Sequence, residues 1–264
     1  MLLDGLIRNA WILAFVAAVG IWEVVAPRHR LVADRSLRWP TSFTLGPVNA
    51  LIATMPLAPL ALAGAVAERG GTLASVAGPA AWVAVALGVL LLDLAFYAQH
   101  RVLHAVPWLW SVHRVHHSDV DLDYTTAFRF HPLEALVTNA TALAVIAVVG
   151  LPLLAVLIHQ TLAGVLTVLE HANARIPPAI ESWAGRIVVT PAMHRIHHAA
   201  TSRGTDSNFA TIFSFWDRAL RSYSAAAPEG GAEIEVGLRE FGDRKYLTLP
   251  WTLAIPFLRT RRAR

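Results

Sequence analysis

The sequence predicts an all-α integral membrane protein of four to five transmembrane helices with a mostly helical cytoplasmic cap. Three observations predict it. Of 264 residues, 55% are hydrophobic and only 15% charged, and the mean hydropathy is +0.49, outside the range of ordinary soluble domains. Several apolar stretches reach the roughly 20 residues that a helix needs to cross a bilayer. Eight of the 12 histidines fall into three tight groups at helical spacing: His100 and His104; His113, His116 and His117; His194, His197 and His198.

The elements follow in order. Leu6 to Val25 is the first span, and no small-residue cleavage site follows it, so it reads as a retained helix. Phe43 to Val66 is the second, with Pro47, Pro56 and Pro59 predicting kinks or an early stop. Pro79 to Tyr97 is the third and runs directly into the first histidine group. The apolar stretch from Leu133 to Leu169 is broken by Gly150-Leu-Pro152 and reads as two short helices joined by a tight turn. With five spans, the stretch after His100 and everything after His171 lie on one side. Of 22 Lys and Arg residues only Arg8 and Arg69 fall on the other side, leaving 20 with the histidines, so the histidine face is expected to be cytoplasmic.

From Ile176 onward the composition is that of a soluble cap. Tyr246 to Leu258, with Arg259, Arg261, Arg262 and Arg264, reads as an interfacial segment on anionic lipid. The chain is expected to form one domain over 1–264. Its parts are N-terminal helices (1–99), two histidine groups (100–131), a membrane hairpin (132–171) and the cap (172–264). The pI of about 10.1 comes without a basic stripe, which speaks against a nucleic-acid partner.

With no cysteine in the chain, thiolate-bound zinc and iron–sulfur clusters are excluded, and a metal centre must use nitrogen and oxygen ligands. Imidazole is the commonest transition-metal ligand, and residues three and four apart share a helix face. Eight imidazoles exceed the needs of one four-coordinate ion, so two metals are expected. His171, closing the fifth helix, and His131, opening the fourth, return to the same face and are candidates to complete the shell. His159 reads as structural or cavity-lining, and His29 as surface charge. Asp93, ionisable inside an apolar helix, falls on one helical stripe with Tyr97, His100 and His104, where it is placed to orient a ligand ring. Asn208 and Asp217 are expected to hold the third histidine group in register. No residue beyond the metal centre is assigned a catalytic role.

These groups resemble the fatty acid hydroxylase/sterol desaturase superfamily of membrane-bound, histidine-rich di-iron oxidases, over about Leu92 to Tyr223. Asp93 and Tyr97, Arg129-Phe-His-Pro-Leu-Glu134, His171-Ala-Asn173, Asn208-Phe-Ala210 and Trp216-Asp217-Arg218 carry the resemblance beyond the histidines. Two departures are Ala210, where glycine is usual, and Arg218-Ala-Leu-Arg-Ser-Tyr223 in place of a more common ending. The resemblance implies two Fe ions that activate O2 to hydroxylate a C–H bond of a lipid, with zinc a possible occupant of purified material because it outcompetes Fe(II). No haem loop, ferredoxin cysteines or dinucleotide fingerprint is present. Electrons from NAD(P)H are therefore expected through an external ferredoxin or cytochrome with its reductase. Desaturation, carotenoid ring oxidation and a membrane metal-binding or transport role are the competing readings. Abundant Ala and Arg with a single lysine, Lys245, suggest a bacterial inner membrane.

Overall fold

A computed structural model describes residues 2–52, 57–76, 78–225 and 234–259. Among these there is no strand, only three isolated bridges. Twelve helices are described: α1 (Leu2–Val25), α2 (Arg35–Ile52), α3 (Leu57–Glu68), α4 (Ala80–Ala105), α5 (Pro107–His117), α6 (Pro132–Val149), α7 (Leu153–His171), α8 (Pro178–Ala184), α9 (Pro191–His197), α10 (Ser202–Thr205), α11 (Phe215–Ala219) and α12 (Leu249–Ala254).

Three of them, α4, α6 and α7, are long and apolar enough to cross a membrane, while the apolar part of α1, Trp11–Val25, is shorter. At 1.5 Å per residue, α4 is about 39 Å long, which exceeds a hydrocarbon core of about 30 Å. Its last two turns carry His100 and His104. Trp82, Leu87, Leu91, Leu136, Leu157 and Leu162 point out of the bundle and are exposed. Such an apolar belt is what a lipid solvent accepts and water does not.

The second span differs from its expected form. In place of one helix over Phe43 to Val66, α2 begins at Arg35 and α3 at Leu57; Pro56 lies outside the described residues. Pro40 and Pro47 both sit within α2 without ending it. The α6–α7 turn has the expected form. Gly150 closes α6 in the left-handed region at φ 68°, and a Cβ there would lie 2.5 Å from the Thr72 nitrogen, so no other residue fits.

At the opposite end, α4 and α7 finish where α6 begins. The loop between α1 and α2 is fastened there: Arg28 N–H donates to the Asn173 carbonyl, and the Asn173 side chain pairs with the His29 backbone. Glu23 accepts from the backbone of Tyr124 and of Asn173. The C-terminal segment is fastened to the rest of the protein. Ile255 packs with Val115 and Phe241 in a small core, and the Arg114 guanidinium donates to the carbonyls of Ile255 and Leu258 at 2.6 Å. Trp251 and Phe257 remain exposed on its outer side.

Candidate metal centre

Nine histidines converge at this end of the bundle, in two groups whose ligand nitrogens lie within 4.8 Å of one another. One group holds His100, His104, His113, His117 and His197; the other holds His116, His171, His194 and His198. The two groups adjoin, with the His117 and His198 rings stacked at 4.4 Å. The eight clustered histidines and His171 are thus brought together. His131 is not: it caps α6, its Nδ1 accepting from the Leu133 N–H at 3.2 Å, and it stands outside both groups.

The division does not follow the three sequence groups. Residues at i and i+4 are about 40° apart around a helix and share a group, as His113 with His117 and His194 with His198 do. The residue at i+3 lies about 100° from the one at i+4, so His116 and His197 each turn into the opposite group. Three rings at i, i+3 and i+4 therefore serve two sites rather than one.

Local sequence explains the placement. Pro107 and Pro191 start the short helices α5 and α9 at the first position, where the missing N–H costs nothing. α5, α7 and α9 each end on a site histidine, and α4 ends one residue after His104. Four helix C-termini thus meet at the site, each equivalent to roughly half a negative charge, a field that favours cations.

The hydrogen bonds fix which nitrogen faces inward. Nδ1 of His100, His171 and His197 donates to the carbonyls of Phe209 (2.8 Å), Thr167 (2.6 Å) and Ser207 (2.7 Å). Nδ1 of His113 donates to Glu134 Oε1 at 2.7 Å, and His104 Nδ1 lies 3.3 Å from the Asp206 carboxylate. These partners only accept, so Nε2 of each ring carries an inward lone pair. Yet His100 Nε2 and His113 Nε2 are 3.1 Å apart, and His197 Nε2 has no hydrogen-bond partner. Two lone pairs at that distance repel unless a cation lies between them. The residues fit a pair of nitrogen-ligated metal ions.

Burial, followed by the neighbouring imidazoles, pushes His116, His117, His194 and His198 well below the ordinary imidazole value. Burial holds His197 at about 3. The rings are neutral and ready to bind metal at neutral pH. Because their folded pKa is depressed, the associated stability is intact above the unfolded value of 6.5 and is lost as pH falls toward about 3. Each ring can remove up to about 1.4 kcal/mol per pH unit in that window. The melting midpoint of metal-free protein should drop steeply below pH 6.5, and a flat profile would contradict neutral buried rings.

The supporting residues act at one remove from where the sequence puts them. Asp93 and Tyr97 do not touch a site histidine. Asp93 accepts from the N–H groups of Ile212 and Phe213 and from the Trp216 indole, and Tyr97 bonds Ser222 Oγ at 2.6 Å. Asp217 accepts from Phe209 N–H and Ala210 N–H. Asn208, at φ 52°, donates to the carbonyls of Met193 and Ser224. Together they hold the 208–213 segment whose Phe209 carbonyl orients His100.

Glu134, which stands behind His113 and which the sequence offered only as the end of a motif, and Glu170 are acidic residues at the centre to which sequence reasoning gave no role there. Glu170 is buried with Oε2 unpartnered and Oε1 3.9 Å from His194 Nε2. An acidic residue in the first turn of an apolar helix, as Glu134 is, was the available signal. Glu134→Ala should lower metal affinity by about 10–100-fold, as loss of a ligand's supporting partner does, measured by competition with a chelator.

Residues 85–222, just over half of the chain, match the fatty acid hydroxylase family model. The chain is 25% identical over 138 residues to alkylglycerol monooxygenase of Caenorhabditis elegans, covering 50% of this chain and 25% of that protein. It is 26% identical over 261 residues to ornithine lipid hydroxylase OlsE of Rhizobium tropici, covering 95% and 76%. Cholesterol 25-hydroxylase of Homo sapiens is 26% identical over 151 residues, covering 53% and 50%. The chain thus spans only a quarter to a half of two of these relatives. No solved structure gives a significant match. With a histidine centre at the membrane ends of its helices and a family match across the segment that builds it, the chain belongs to the fatty acid hydroxylase family.

Proposed function

We propose that this protein is a membrane-bound, di-iron, O2-dependent hydroxylase of a lipid C–H bond. The observation that carries the reading is the junction of the histidine centre with an apolar cavity. The cavity, of about 480 Å³, lies among α2, α4, α6 and α7. Three of its lining residues also touch site histidines: Phe130 stacks on His116 at 4.1 Å, Glu134 bonds His113, and Thr167 accepts from His171. A lipid entering from the bilayer reaches the metals there without crossing water. All three relatives described above carry monooxygenase or hydroxylase names and act on lipids by those names, which supports the same chemistry here.

His100, His104, His113, His117 and His197 would hold one iron, and His116, His171, His194 and His198 the other. Bound iron supplies O2 activation. The chain's own groups orient the ligand rings through Nδ1, exclude water by burying all nine but the partly exposed His100, and align an apolar chain below the centre. Ligands at helix ends and in the cap, rather than along a path through the bundle, disfavour metal transport.

The histidine face is proposed to be cytoplasmic in a bacterial inner membrane, with α1, α2 and α3 completing five crossings. A separate ferredoxin or cytochrome, reduced from NAD(P)H, would dock on the basic groove of about 800 Å³ formed by Arg28, Arg30, Arg35 and Arg175, where an acidic partner is steered by charge. Lipid profiling of cells with the protein, without it and with His197→Ala tests the reading. A lipid gaining one oxygen only with the intact protein is expected. Loss of two hydrogens instead would make it a desaturase, and no oxygen-dependent change would overturn the oxidase reading.

A further inference from the structure

Part of the cap runs down the side of the bundle instead of sitting above it. The Phe209 carbonyl accepts from His100 Nδ1, and the chain descends from there. The N–H groups of Ile212 and Phe213 and the Trp216 indole donate to Asp93, and Phe213 packs against Val85, Val89, Ala155 and Ile158. Two helices measure the descent. At 1.5 Å per residue, Val89 and Val85 lie about 17 and 23 Å before His100 on α4. Ile158 and Ala155 lie about 20 and 24 Å before His171 on α7. The chain climbs back to Ser222, which bonds Tyr97. A second stretch lies alongside: Ser214 donates to the carbonyls of Ile187 and Gly185, and Val189 N–H donates to the Ile212 carbonyl. α8 leads into it from the level of Arg28, which pairs with Glu181.

That depth is inside a bilayer. A core of about 30 Å can take several positions within a helix of about 39 Å. In every one of them, Val89 lies at least about 16 Å below the histidine-side boundary and Asp93 at least about 10 Å. Composition agrees, since residues 187–193 and 209–216 carry no charge. Lipid cannot satisfy backbone N–H groups, so irregular chain at this depth needs acceptors from the protein. Asp93 supplies them, which gives an ionisable residue in an apolar helix its reason. The outer face is apolar too, with Ile180, Trp183 and Ile187 exposed. Arg186 turns away from these three: it lines a polar groove with Ser182, Thr190 and Arg218, and an arginine stem reaches toward water.

We propose that residues 178–190 and 209–222 form paired re-entrant hairpins in the histidine-side leaflet, whose acyl chains cover Ile180, Trp183 and Ile187. The inference rests on α4 and α7 crossing the bilayer and not on the reaction proposed above. The third histidine group is then held from within the leaflet, because α9 starts where the first hairpin ends and Phe209 opens the second. A second copy of the chain is the competing cover for the same face.

The chain has no cysteine, so one introduced thiol carries a fluorophore without background. Ile180→Cys, Trp183→Cys and Ile187→Cys are labelled with nitrobenzoxadiazole in vesicles of phosphatidylcholine and phosphatidylglycerol. Leu87→Cys, on the exposed face of α4, and Glu235→Cys, exposed in the cap, serve as references. Hydrocarbon excludes iodide, which should quench the Ile187 label about tenfold less than the Glu235 label. Lipids bearing a doxyl group on the acyl chain should quench the Ile187 label as they quench the Leu87 label. The three positions report separately, so loss of one variant leaves the other two. Iodide quenching at Ile187 equal to that at Glu235 would put the hairpins in water and overturn the proposal. Shielding of all three labels from both quenchers overturns it equally and assigns the face to a second copy.

Discussion

Alanine at His116 should empty one half of the metal centre, and alanine at its near neighbour His113 the other half. The two residues are three positions apart on α5, yet they belong to different groups. Each replacement removes an inward nitrogen whose distance to a group partner is 3.1 Å, His116 to His171 and His113 to His100. On the two-ion centre proposed above, metal content is expected to fall from two ions per chain toward one, and turnover to fall to background. The loss should exceed the roughly 10–100-fold in affinity that removing a supporting residue costs. In protein loaded with isotopically enriched iron, spectra would distinguish an ion held by the five histidines from one held by the four. His29→Ala and His131→Ala should leave both in place. Loss of the same ion from the two α5 variants, or full metal content in either, would sink the partition.

Replacing Arg38 with methionine should destabilise the whole protein without touching a ligand. Arg38 is fully buried near the start of α2. Its Nε and Nη2 donate to the two oxygens of Asp119 at 2.6 and 3.0 Å, and its Nη1 donates to Asp123 at 2.7 Å. Burial acts to raise the Asp119 carboxyl, and the Arg38 charge overrides it and holds Asp119 below the ordinary value. Methionine matches the stem but leaves two buried carboxylates without their cation, at a cost of about 3–5 kcal/mol. For a chain of this size that is roughly 10 °C in melting midpoint. The damage should reach the metals because Asp119 follows His117 by two residues. Adding Asp119→Asn and Asp123→Asn removes the stranded charges and should recover part of the loss. An unchanged midpoint in the single variant would mean that this network does not hold the loop.

Much of the site was legible because its chemistry is local. His113 to His117 and His194 to His198 announce a metal centre through spacing within one turn, a property of the helix alone. The α6–α7 hairpin was equally readable, since Gly150 must adopt a conformation that few residues tolerate. Asp93 was read wrongly for the opposite reason. Its position on a stripe with His100 is a true statement about α4, but the carboxylate is claimed by Ile212, Phe213 and Trp216 from a distant stretch of chain. His131 likewise returns to the metal side, and its ring is spent on capping its own helix.

The amino-acid sequence by itself determined that this is a helical membrane protein with a nitrogen-ligated metal centre at the ends of its helices. Hydropathy and periodicity are properties of contiguous residues, and the absence of cysteine is a property of the list. Only the tertiary structure decided how nine rings divide into five and four, which carbonyls and carboxylates orient them, and where the cavity meets them. Those outcomes depend on the angles at which α4, α5, α7 and α9 cross. Crossing angles are set by packing between residues far apart in the chain, which no local pattern encodes.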